Sequence, residues 1–82
     1  MFYRKEYIDV LTRFGKDGTI LPICVYWPDG TGYTIERILD IRRASSLKTG
    51  DSGIRYTCMI KGQQTYIYLE ENRWFAERKV KA

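Results

Sequence analysis

From Leu21 to Trp27 every second residue is large and apolar: Leu21, Ile23, Val25 and Trp27. Apolar groups repeating at a period of two share one side of the chain only if the chain is an extended strand, because successive strand side chains point to opposite faces. The same pattern recurs along the whole sequence. Short runs of β-branched and aromatic residues are separated by Gly, Asp and Asn, and no helical periodicity is sustained.

The first run is Tyr7 to Phe14, with Ile8, Val10 and Phe14 as its apolar residues, and Gly15-Lys16-Asp17-Gly18 reads as a hairpin turn. The second run spans Thr19 to Trp27. Pro22 lies inside it and has no amide hydrogen to donate, which predicts an edge position or a bulge. Trp27-Pro28-Asp29-Gly30 places Pro and Gly where a turn favours them. The third run, Tyr33 to Arg43, has Ile35, Ile38, Leu39 and Arg42 at helical spacing. Its alternation through Tyr33, Ile35, Leu39 and Ile41 and its β-branched content favour a strand. Ala44 to Gly53 reads as a loop. Ile54 to Lys61, Gln64 to Glu70 and Arg73 to Lys79 complete the set, joined by a type II′ turn at Gly62-Gln63 and a turn at Glu71-Asn72. The expectation is one all-β domain over residues 1–82: six short antiparallel strands in a small SH3-like barrel or a strongly bent meander.

These turns set registers. A turn at Gly62-Gln63 pairs Cys58 with Ile67 and Tyr56 with Leu69 on one face, and Met59 with Tyr66 and Thr57 with Tyr68 on the other. A turn at Glu71-Asn72 adds Trp74 opposite Leu69 and Phe75 opposite Tyr68. The first face reads as core. The second gathers Ile38, Met59, Tyr66, Tyr68 and Phe75, more apolar surface than a face meeting only water should carry. Three covers are open: the N-terminal strand through Ile8, Val10 and Phe14, a second copy of the chain, or a binding partner.

Fourteen Lys and Arg against ten Asp and Glu give a net charge of +4, a mild excess. Arg42, Arg43, Lys48 and Arg55 flank the long loop, and a hairpin would collect them at one end of the sheet as a candidate site for nucleic acid or another anion. One register sets Arg42 opposite Arg55 and invites a bridging anion. The plainer one sets Asp40 opposite Arg55 as an ion pair.

Absences narrow the chemistry. The chain contains no histidine, so Ser-His-Asp and Cys-His sites cannot be built. Lys48-Thr49-Gly50-Asp51-Ser52-Gly53 is Gly-rich but lacks the residue order of a phosphate loop. Cys24 and Cys58 each sit in an apolar run and are expected as free thiols in a cytoplasmic setting. No run of about 18 apolar residues is present. The absence of such a run predicts no membrane association, and the charged N-terminus predicts no secretory signal. No enzymatic activity, cofactor or metal is expected.

The order Trp27-x-x-Gly30, Tyr33-x-Ile35-x-Arg37-Ile38-Leu39-Asp40, Ile54-Arg55-Tyr56 and Arg73-Trp74-Phe75 resembles that of small bacterial all-β domain proteins. The resemblance spans roughly residues 20 to 77. Its motifs serve packing, so it implies a fold and a bacterial cytoplasmic setting and carries no activity. Two functional expectations follow. One is a non-enzymatic module that binds nucleic acid weakly through Arg42, Arg43, Lys48 and Arg55. The other is a protein-interaction or homodimerisation module using Ile38, Met59, Tyr66, Tyr68 and Phe75.

Overall fold

Two aspartates fold the first two turns. The Asp17 carboxylate accepts the Thr19 backbone N–H at 3.0 Å, and the Asp29 carboxylate accepts that of Thr31 at 2.9 Å. Hydrogen bonds from Thr19 and Thr31 hold both carboxyls below their ordinary pKa. A computed structural model describes residues 2–45 and 52–80. It contains seven strands: β1 (Phe2–Phe14), β2 (Ile20–Tyr26), β3 (Gly32–Thr34), β4 (Arg37–Ser45), β5 (Ser52–Ile60), β6 (Gln63–Glu70) and β7 (Arg73–Val80).

All pairings are antiparallel, and the sheet runs β3-β2-β1-β7-β6-β5-β4. Two meanders, β1 to β3 and β4 to β7, are therefore joined by the ladder between the first and last strands. The sheet curls into a half-barrel, with β3 and β4 as its two edges. Between β3 and β4 the chain reaches both wings: the Ile35 N–H donates to the Ile23 carbonyl at 2.9 Å, and the Glu36 N–H to the Met59 carbonyl at 2.8 Å. This crossing divides the expected third strand into β3 and β4, which is why there are seven strands and not six. Of the expected loop from Ala44 to Gly53, Ala44 and Gly53 themselves belong to β4 and β5 and face each other.

The β5–β6 turn differs from expectation. It falls on Lys61-Gly62, with φ of 51° and 73°, not on Gly62-Gln63. Positive φ at both central residues is the type I′ pattern, whose twist matches the flanking strands. Cys58 therefore faces Thr65, and Tyr56 faces Ile67. A slip of two residues preserves parity, so each residue keeps its face. The β6–β7 pairs Leu69 with Trp74 and Tyr68 with Phe75 form as expected. On β2 the register shifts between Leu11 and Thr12 of β1, whose partners are Cys24 and Pro22, so Ile23 is left over in a bulge beside the proline.

The main core lies on the inner, concave face. It consists of Ile8, Val25, Tyr56, Cys58, Ile60, Ile67, Leu69, Trp74 and Ala76, with Val10, Trp27, Ile38 and Ile54 among the groups packed against it. Fully burying one large side chain here stabilises by about 1.5–3 kcal/mol. Tyr56 stands 5.0 Å from Trp74, ring to ring. Its hydroxyl donates to the Ile20 carbonyl at 2.6 Å, tying β5 to the start of β2 across the core.

Candidate interaction face of the sheet

The outer face carries a second, smaller core. Tyr68 and Phe75 stack with centroids 4.9 Å apart and planes 7° from parallel. They are 1% and 0% exposed. Their cover comes from β1 and from charged side chains whose stems are apolar. The Tyr7 ring meets Phe75 edge-on at 6.3 Å. Lys5 Nζ sits 5.0 Å from the Phe75 centroid and forms an ion pair with Glu70 at 3.0 Å. The Tyr7 hydroxyl donates to the same carboxylate at 3.0 Å. β1 thus flanks this face from within the sheet and does not fold over it. Ile8 and Val10 belong to the inner core, and Phe14 is exposed.

At the two ends of this aromatic pair, an arginine lies over a tyrosine. The Arg73 guanidinium is 3.5 Å from the centroid of Tyr7, and the Arg55 guanidinium is 4.8 Å from that of Tyr66. Attraction between a cation and a ring quadrupole is worth about 0.5–1 kcal/mol at exposed sites. Arg55 Nε is buried with no hydrogen-bond partner. Tyr7 and Tyr66 remain more than a third exposed.

Of the basic residues singled out in the sequence, Arg42 and Arg55 come together and Arg43 does not join them. Arg42 stands directly opposite Arg55 and Asp40 opposite Thr57, so the Asp40–Arg55 pairing expected from the plainer register does not form. The like charges are relieved within the chain. Arg42 Nε donates to the Asp40 carboxylate at 2.6 Å. That bond, with added attraction from Arg55, holds the Asp40 carboxyl below its ordinary pKa. The place of a bridging anion is thus taken by Asp40. Arg43 pairs with Ile54 on the inner side and, with Ile20, Gly53 and Leu69, lines an open cavity of about 560 Å³. Lys48 lies outside the described residues.

The expected apolar face also needs revision. A bulge at Leu39 shifts the β4 register, so Ile38 pairs with Cys58 and packs on the inner core. Tyr68 and Phe75 are buried, Met59 is half-buried, and Tyr66 is 37% exposed. Tyr7, Lys5 and Arg73 complete the face and were not anticipated. The available signal was Ile8: if it points inward, strand alternation sends Tyr7 outward.

Among the described residues, no three His, Cys, Asp or Glu side chains are grouped as a metal site requires. No family model, curated protein or solved structure matches the chain.

Proposed function

We propose that this chain is a non-enzymatic interaction module that docks a protein partner on its outer face. The observation that carries the reading is the pairing of Arg73 with Tyr7 and of Arg55 with Tyr66 around a rigid aromatic pair. Tyrosine and arginine dominate the energetically important residues of protein interfaces, and pre-positioned rings lose little entropy on binding. The fitting partner is a protein surface with carboxylates to meet the guanidinium edges and apolar groups to cover the rings. The finer architectural reading is an SH3-like barrel, supported by the two backbone bonds through which Ile35 and Glu36 reach β2 and β5.

The test compares the wild-type chain with Tyr66→Ala/Arg73→Glu for binding to candidate acidic protein partners, with titration of a mixed-sequence single-stranded oligonucleotide alongside. A specific protein partner lost in the double variant supports the reading. Oligonucleotide binding that weakens with salt by a log–log slope of about −0.7 per phosphate contact, and disappears in Arg42→Glu/Arg55→Glu, would replace it with nucleic-acid recognition.

A further inference from the structure

β4 ends the sheet. Eight of its nine residues, all but the bulged Leu39, pair with β5 on one side, and among the described residues no strand pairs with its other side. Leu39 and Ile41 are 42% and 44% exposed along it. The edge is interrupted by the bulge at Leu39, but from Asp40 to Ser45 it runs regularly and without proline, and an unpaired edge of that kind invites another strand unless charge guards it.

The charges on β4 are arranged in a self-complementary way. Asp40 and Arg42 flank Ile41 on either side. If a second copy lies antiparallel with Ile41 opposite Ile41, Asp40 faces Arg42 of the copy and Arg42 faces its Asp40. Both contacts bring opposite charges together across a strand pair. Sliding the copy by two residues one way sets Asp40 against Asp40, and the other way sets Arg42 against Arg42. Sliding by one residue turns the copy over, so that Ile41 meets Asp40. Over the stretch Asp40 to Arg42, on the C-terminal side of the Leu39 bulge, one register alone satisfies both charge and face.

We infer that β4 is a self-pairing edge, through which two copies join about a two-fold axis at Ile41 to form one continuous sheet. An isologous contact of this kind uses the same patch on both partners and closes at the dimer. It uses the sheet edge and not the Tyr7–Tyr66 face, so either assignment can fail while the other stands.

The experiment is sedimentation equilibrium of the wild-type chain, of Asp40→Lys, of Arg42→Asp, of an equimolar mixture of these two variants, and of Tyr66→Ala/Arg73→Glu. Wild type should be a dimer. Each single variant sets like charges opposite at both contacts and should raise the dimer dissociation constant about tenfold or more. The mixture should recover dimer, because the reversed charges are complementary between variants. Recovery also shows that neither variant failed merely by misfolding. A monomeric wild type, a dimer indifferent to both reversals, or a mixture that stays monomeric overturns the inference. So does a dimer lost only in Tyr66→Ala/Arg73→Glu.

Discussion

Tyr68 and Phe75 face each other across the β6–β7 ladder as a parallel ring stack 4.9 Å apart, buried on the side of the sheet opposite Trp74. The last two long strands therefore bury aromatic side chains on both faces, and the sheet is stabilised from both sides.

Trp74→Ala and Phe75→Ala should cost comparable amounts, about 3–5 kcal/mol each, the usual result of truncating a buried large aromatic. Urea denaturation followed by circular dichroism measures both. A much smaller loss for Phe75→Ala would mean that its cover of Lys5, Tyr7 and Glu70 opens readily in solution.

Tyr56→Phe should lower stability by about 1 kcal/mol. It keeps the ring against Trp74 and removes only the hydroxyl that donates to the Ile20 carbonyl. The shift in denaturation midpoint reads the loss, and an unchanged midpoint would show that water serves the carbonyl equally well.

Burial pushes the Cys58 thiol up from 9.0 to about 11. The unfolded chain therefore gives up this proton at lower pH than the folded one. The Cys58 contribution to stability is intact below pH 9.0 and declines as pH rises towards about 11. Burial raises the Tyr56 phenol as well, so the comparison to make is with Cys58→Ala, whose alkaline loss of stability should be shallower. In the folded protein at neutral pH, half-buried Cys24 should react with a thiol reagent before Cys58 does.

Gly53→Ala should destabilise although Gly53 lies in a regular strand. A Cβ there would come within 2.6 Å of the Leu69 carbonyl oxygen, a backbone atom with little freedom to move away. Melting temperatures of this variant and wild type decide it, and an equal value would show that β5 and β6 can separate locally.

The elements that follow from local rules were legible in the chain. Period-two alternation placed β2, β5, β6 and β7, and the Glu71-Asn72 turn fixed Leu69 against Trp74. Parity rescued the faces of β5 and β6 even though the Lys61-Gly62 turn was placed one residue late. What local rules do not contain is where a strand bends or bulges. The crossing at Ile35 and Glu36 depends on β2 and β5 approaching from either side, and the Leu39 bulge moved Ile38 from the expected outer face into the core. The aromatic content of the outer face could be read from alternation. Its burial could not, because Lys5 and Tyr7 reach it from the far end of the chain.

β1 and β7 pair from Phe2 with Val80 to Ile8 with Trp74, so the ladder that joins the two meanders is made from the residues most distant in sequence. Loop-closure entropy makes such a contact costly to form early. Each meander can zip locally, but Ile8 reaches Trp74 and the second meander's core only when this ladder closes. During synthesis β1 must wait for the rest of the chain before its second neighbour exists. The topology predicts that folding is limited by how quickly the first strand finds the last, so that weakening the β1–β7 ladder should slow refolding more than an equal loss within either meander.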